Sequence, residues 1–175
     1  VRSLDDSRLV TAALLNRREV RGGRVTMVID DPLVGDLDVM AVNTYNGWYS
    51  DDALAALPGF DWTSDSGKPL ILSEFGADAL AGFHDASADP RKFSEEYQAD
   101  YYRQTLAMTD RIPFLAGMSP WILKDFRSPR RQHPLFQRGW NRKGLVSETG
   151  QRKLAFGVLA EHYRARAARA NDIAN

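Results

Sequence analysis

LILSEFGAD, residues 70–78, decides how this sequence folds. Leu70, Ile71 and Leu72 form a short, nearly unbroken apolar run, the pattern of a strand covered on both faces as in a parallel sheet. The run ends on Glu74, and Gly76 lets the backbone turn immediately after it. A strand of this kind delivers its last side chains to the carboxyl edge of the sheet, where parallel α/β architectures bind their ligands. Working outward, comparable runs lie at Leu9–Leu15, Asp38–Tyr45 and Phe114–Ile122, with the central one spanning Pro69–Glu74. Val25–Ile29 is an ambiguous fifth. Between them lie helical patterns at Ser94–Thr109 and Gln151–Ala168, the second with Leu154, Val158, Leu159, His162 and Tyr163 at helical spacing. A short helix is expected near Asp51–Leu57. The alternation of strand and helix predicts an α/β fold of about four βα units with parallel strands.

The composition narrows the partners. The chain has 175 residues, 43% apolar and 26% charged, with 23 basic and 23 acidic side chains and no cysteine. Such a chain supports a sizeable core. Zero formal charge removes the electrostatic case for a nucleic-acid or anionic-membrane partner. Without cysteine there is no disulfide, thiolate metal site or thiol nucleophile. No apolar run approaches the ~20 residues of a membrane span. The start lacks both a signal-peptide core and an initiator methionine, so the chain reads as internal to a longer protein and localisation stays open.

Three constellations carry chemistry. Glu74, at the rim of a strand, can act as a nucleophile or base, or simply as half of an ion pair. NTYNGWYS, Asn43–Ser50, puts Tyr45, Trp48 and Tyr49 beside two amides. Aromatic faces cover sugar CH groups while amides bond hydroxyls, although the same rings could fill a core margin. Trp121, in SPWILKDF, invites the same two readings. GWNRKG, Gly139–Gly144, offers the Asn141 amide and the Lys143 ammonium two positions apart, able to converge on one carboxylate or to lie on a solvated face. The segment from Asp125 to Lys143 has little apolar periodicity, carries Arg127, Arg130, Arg131, Arg138 and Arg142, and reads as a long functional loop. His84, His133 and His162 show no metal-ligand spacing.

Together these stretches resemble the C-terminal part of the catalytic barrel of glycoside hydrolase family 2, most closely its β-glucuronidases. The resemblance runs through SLDDSRLVTAAL, DVMAVNTYNGWYS, PLILSEFGADALAGFHD, SEEYQ, SPWILKDF and NRKG, and covers nearly the whole chain. It implies that Glu74 is the catalytic nucleophile. It implies that Asn141 and Lys143 hold the carboxylate of an acidic sugar. Asn43, Tyr45, Trp48 and Tyr49 are implied around the sugar and nucleophile, with Trp121 as the platform beneath the ring. No cofactor or metal is implied. The Asn-Glu pair that carries the family's acid/base glutamate occurs nowhere in the sequence, and SPWILKDF departs from the usual Trp-Asn-Phe-Ala-Asp-Phe wording.

The resemblance therefore implies residues 1–175 as a partial catalytic domain, the C-terminal half of a (β/α)8 TIM barrel. The N-terminal half-barrel and the upstream β domains lie outside it. The expected activity is retaining hydrolysis of β-glucuronides, inactive without the missing acid/base glutamate. The expected partners are the carbohydrate substrate, the rest of the same enzyme and, as an open question, further copies of it. A β-galactosidase or other family 2 β-glycosidase, and a noncatalytic carbohydrate-binding fragment, are the competing readings.

Overall fold

The computed structural model describes residues 1–174, with side chains through residue 169. The strands are β1 (Thr11–Leu14), β2 (Arg17–Arg21), β3 (Arg24–Val28), β4 (Val39–Asn43), β5 (Asp61–Thr63), β6 (Leu70–Glu74), β7 (Leu115–Met118), β8 (Phe126–Arg127) and β9 (Trp140–Asn141). The helices are α1 (Glu95–Thr109) and α2 (Leu154–Ala174), with 3-10 turns at Pro32–Asp36 and Leu54–Gly59. By internal packing the chain divides into residues 1–75 with 107–120, and residues 76–106 with 121 onward.

The first unit is built on a parallel sheet of order β1-β4-β6-β7. Its two middle strands match their apolar runs, because Met40, Val42, Leu70 and Leu72 are fully buried. The outer strands correct the expectation that all four runs are covered on both faces. β1 and β7 have a sheet neighbour on one side only among the described residues and are correspondingly more open. Of the connections between its strands only that from β6 to β7 carries an α-helix, α1, and the other two carry 3-10 turns; the parallel sheet is that of a partial TIM barrel.

The ambiguous run at Val25–Ile29 is a strand, but it lies outside this sheet. β3 pairs antiparallel with β2 and parallel with β5 in a separate three-stranded sheet. Gly22 and Gly23, both at positive φ (56° and 78°), make the two-residue turn that suits the twist of a hairpin. Near Asp51–Leu57 the chain forms a 3-10 turn starting at Leu54 and containing Pro58. The Trp62 indole donates to the sulfur of Met108 at 3.4 Å in this unit's core.

The second unit is organised by helix ends and buried charge. Ser94 caps α1, its hydroxyl accepting from Tyr97 N at 3.1 Å. Glu95 reaches the other helix: its carboxylate accepts from Leu154 N, at the start of α2, and from Gly82 N, both at 2.8 Å. α2 begins three residues later than the periodicity suggests and continues to Ala174. The delay has a cause. Gln151 N and Lys153 N donate to Ser147 Oγ (3.0 Å) and Leu145 O (2.9 Å), holding the chain extended.

Lys153 and Asp125 form a fully buried ion pair at 2.8 Å. The ammonium also donates to the carbonyls of Ala79 (2.6 Å) and Arg142 (2.8 Å). Asp125 in turn accepts from Gly144 N at 2.8 Å and pairs with Arg142 at 3.4 Å. Burial pushes the Asp125 carboxyl up and the Lys153 ammonium down from their ordinary values, and their attraction pulls each back.

Breaking such a pair is costly because it strands a charge away from water. Lys153→Met should lower the unfolding free energy by about 3–5 kcal/mol at neutral pH, measured by denaturant titration. A carboxyl with a raised folded-state pKa binds its proton more readily in the folded protein, so the difference between variant and parent should be smaller at acid pH than at neutral pH. An equal loss at both pH values would show that Asp125 is not the group that Lys153 satisfies.

Candidate active site

In the first unit, the carboxyl ends of β4 and β6 bring predicted residues together. The register shifts between Val42 and Asn43, so that Asn43 stands opposite Glu74. Such a bulge re-aims the side chains at a strand end. The Tyr45 hydroxyl donates to Glu74 Oε2 at 2.7 Å, and Thr44 N donates to the Glu74 carbonyl at 2.8 Å. Asn43 accepts from the Ser73 hydroxyl at 2.8 Å. One oxygen of a half-buried carboxylate is thereby held, which orients the other. This is the arrangement a carboxylate nucleophile needs.

The aromatic loop that follows is a tight turn. Trp48 N and Tyr49 N both donate to the Tyr45 carbonyl, at 2.9 and 3.0 Å. Gly47 has φ +83°, and a Cβ there would lie 2.6 Å from Leu54 Cδ2. The three rings differ in placement. Trp48 is buried, Tyr49 is 57% exposed, and Tyr49 packs against Tyr45 at 5.2 Å and against Trp48 at 6.2 Å between centroids. Trp48 thus packs against the largely exposed Tyr49.

Sequence reasoning missed what braces this loop. Gly47 N donates to the Ser50 hydroxyl (2.9 Å), Ser50 donates to Asp52 (2.5 Å), and Arg18 of β2 grips Asp52 with two bonds of 2.8 Å. Burial raises the Asp52 carboxyl, but the bonds from Arg18 and Ser50 outweigh it and hold the group below its ordinary range. Arg18 and Asp52 are 34 residues apart, and neither lies in a motif.

In the second unit, Gly76 has the need for glycine that its turn suggests, although its φ is ordinary. A Cβ there would overlap the carbonyl oxygen of Trp121. Gly76 N accepts support from elsewhere, donating to the Tyr101 hydroxyl at 3.2 Å. The Trp121–Ile122 peptide is cis, and the half-buried Trp121 ring meets Phe126 edge to face at 6.0 Å. Phe126 lies opposite Asn141 in the β8–β9 ribbon, which closes the stretch predicted as a long loop.

Asn141 and Lys143 are both buried. The Asn141 side-chain oxygen accepts from Lys143 N at 3.0 Å, fixing the turn between them. The Lys143 ammonium pairs with Asp78, and the other oxygen of Asp78 accepts from Gln137 Nε2 at 2.6 Å. A third motif residue, Arg142, pairs with Asp125 and Glu148. NRKG is therefore anchored at three consecutive side chains. The partners Asp78 and Lys143 are 65 residues apart, beyond any local pattern.

The histidines stand apart. His84 bonds to Glu96 at 2.8 Å, and His133 packs against Phe93 and Phe136. Among the described residues, no group of three His, Cys, Asp or Glu side chains could hold a metal ion, and no helix is long and apolar enough to cross a membrane.

Comparison with known proteins agrees with this geometry. The family described as "Glycosyl hydrolases family 2, TIM barrel domain" matches residues 1–157. A β-glucuronidase of Paenibacillus borealis is 32% identical over 133 residues, covering 72% of this chain and 22% of that protein. The structure of a β-glucuronidase from Faecalibacterium prausnitzii is 30% identical, with a TM-score of 0.64 over 80% of this chain and 24% of its own. A β-galacturonidase from Eisenbergiella tayi, solved with glycerol bound, is 27% identical, with a TM-score of 0.70 over 94% of this chain and 28% of its own. The chain spans about a fifth of the length of the curated relatives it matches. With a family match over most of its length and a parallel α/β sheet, the chain belongs to glycoside hydrolase family 2 and carries part of its TIM barrel domain.

Proposed function

We propose that this chain is the C-terminal half-barrel of a retaining β-glucuronidase, with Glu74 as its nucleophile. The observation that carries the reading is the Glu74 carboxylate at the end of β6, oriented by the Tyr45 hydroxyl at 2.7 Å. In the first step a Glu74 oxygen bonds to the anomeric carbon as the glycosidic C–O bond breaks. The departing oxygen takes a proton from an acid outside these 175 residues. Water then attacks the same carbon while giving a proton to the now deprotonated acid, and the bond to Glu74 breaks, which releases the sugar and restores both the Glu74 carboxylate and the acid. The acid must stand about 5–5.5 Å from Glu74 for this chemistry, so the N-terminal half-barrel is a required partner. The upstream β domains and any assembly of copies belong to the same whole enzyme.

Asn43, Tyr45, Trp48 and Tyr49 serve the sugar and nucleophile, with Trp48 acting through Tyr49. Trp121 forms the platform under the ring. Asn141 and Lys143 read the sugar carboxylate, with Lys143 held in place by Asp78. Similarity to the galacturonidase supports a second reading, a β-galacturonide substrate, since both uronic acids present a carboxylate to the same pair.

Glu74→Gln in the full-length enzyme should abolish formation of the covalent intermediate while leaving the fold intact, since the amide is nearly isosteric but a poor nucleophile. Trapping the unmodified enzyme with a fluorinated glucuronide and mapping the labelled peptide tests the assignment. A label on any other carboxylate refutes it.

Lys143→Ala should weaken kcat/KM for a glucuronide relative to the matching glucoside by roughly tenfold or more, the effect of losing a charge-assisted contact. Lys143 is also paired with Asp78, so the variant loses stability. The ratio of the two substrates in one preparation cancels that loss. An unchanged ratio would make Lys143 purely structural.

The 175 residues alone should hydrolyse no glucuronide and should self-associate through the edges of β1 and β7. Light scattering and a glucuronidase assay on the isolated chain check this together. Turnover by a monodisperse monomer would overturn the half-barrel reading.

A further inference from the structure

Glu74, Tyr45 and the aromatic loop all lie in the first unit, and a chain of contacts within that unit leads from them to a second sheet that the proposed chemistry does not use. Tyr45 donates to Glu74 Oε2 at 2.7 Å and is also the first residue of the turn closed by Trp48 N and Tyr49 N. The placement of its hydroxyl therefore depends on how firmly that turn is held. Inside the turn Gly47 N donates to Ser50 Oγ at 2.9 Å, and Ser50 donates to Asp52 Oδ2 at 2.5 Å. Asp52 is gripped in turn by Arg18 of β2, whose two terminal nitrogens donate to its two oxygens at 2.8 Å each.

A surface ion pair is usually worth little, because water screens it and two long side chains must be ordered to make it. This pair differs in three respects. Its carboxylate is only 11% exposed, and the contact is the paired fork that matches arginine to a carboxylate. The guanidinium also lies over the Phe60 ring at 5.2 Å, which restrains it. The strand that carries it is fixed as well: β2 pairs with β3 over five residues, and Arg17 beside it pairs with Asp30 at 2.6 Å. Asp52 Oδ2 accepts from both Arg18 and Ser50, so the strand and the turn meet on one oxygen. With its proton given to Asp52, the Ser50 hydroxyl offers a lone pair to Gly47 N.

We infer that Arg18 and Asp52 are positioning residues for the nucleophile: anchored on the β2–β3 hairpin, they hold the turn that begins at Tyr45 and, through the Tyr45 hydroxyl, keep Glu74 aimed for attack. This rests on the proposed role of Glu74, and the test separates the two. The full-length enzyme is labelled with a fluorinated glucuronide, and the rate constant for covalent modification of Glu74 is followed against reagent concentration. That rate constant belongs to each folded molecule, so a smaller folded fraction does not change it. Arg18→Gln and Asp52→Asn should each lower the saturating rate by roughly tenfold or more with little change in the half-saturating concentration, because slight misplacement of a reacting group by a remote substitution is that costly. In Asp52→Asn the amide NH2 must face Arg18 or Ser50, donor against donor. Arg18→Lys keeps the charge without the fork and should fall between parent and Arg18→Gln. Tyr45→Phe should be slowed at least as much, and adding Asp52→Asn to it should slow labelling no further. Arg18 is 42% exposed, so Arg18→Gln carries the test if Asp52→Asn does not fold.

Parental rates in the Arg18 and Asp52 variants would overturn the inference while leaving Glu74 as the nucleophile. A parental rate in Tyr45→Phe, or a further loss when Asp52→Asn is added to it, would overturn it too, since the pair would then act by a route other than Tyr45. If the unmodified enzyme takes no label on Glu74, the nucleophile reading fails and the inference falls with it.

Discussion

Lys153 brings an ammonium group to a place with no water, and much of the second unit answers to that fact. A buried ammonium has three protons to satisfy, and here they meet Asp125 and the carbonyls of Ala79 and Arg142. Each acceptor lies on a different stretch of chain: the segment after β6, the segment after β7, and NRKG. The one cation therefore specifies where three stretches meet. Asp125 extends the constraint by accepting from Gly144 N, where a Cβ would overlap Asp125 itself. An apolar side chain of similar size could fill the volume without selecting those partners. The desolvation that such a pair must overcome is offset only because nearly every lone pair and proton around it is used.

The first unit relies on register instead. Glu74 and Asn43 face each other because β4 and β6 pair in parallel and β4 shifts after Val42. The apolar interior of both strands resists slippage, since moving either by one residue would turn its buried side chains toward the wrong face. Core packing of Met40, Val42, Leu70 and Leu72 thus sets the position of a polar group at the strand end. The carboxylate needs no buried counter-charge there. A tyrosine hydroxyl restrains it at little electrostatic cost and leaves its charge available.

How far the sequence could be read follows from the range of each interaction. β4 and β6 were legible because burial writes a short unbroken apolar run into each, Val39–Val42 in β4 and Leu70–Leu72 in β6. β2 was not, because Arg17, Arg18 and Arg21 make it look like surface, and its Gly22-Gly23 turn carried the only local signal of a hairpin. Glu74 stood out at a strand end, but Tyr45, 29 residues away, was tied to it only through family resemblance. The second unit hid most. Asp78, Gln137 and Lys143 look like ordinary surface residues one at a time, and a charge two residues from a glycine carries no mark of being buried. Burial of charge is a property of three-dimensional closure, and periodicity cannot encode it.

The same point changes how a charge count should be used. Six cations and no acid between Arg127 and Lys143 suggest a strongly basic surface, yet Lys143 and Arg142 are held inside by carboxylates from elsewhere in the chain. The field that a ligand meets is set by the remaining four, of which Arg127, Arg130 and Arg138 are exposed and Arg131 is half-buried. Separating the two groups also separates their roles. The inner pair shapes NRKG, and in the proposed enzyme Lys143, with Asn141, meets a single sugar carboxylate at close range. The outer arginines face solvent, where screening weakens each contact and only several acting together matter. Discrimination at the inner position should therefore be steep and nearly independent of salt, whereas contacts made by the outer arginines are graded and sensitive to ionic strength.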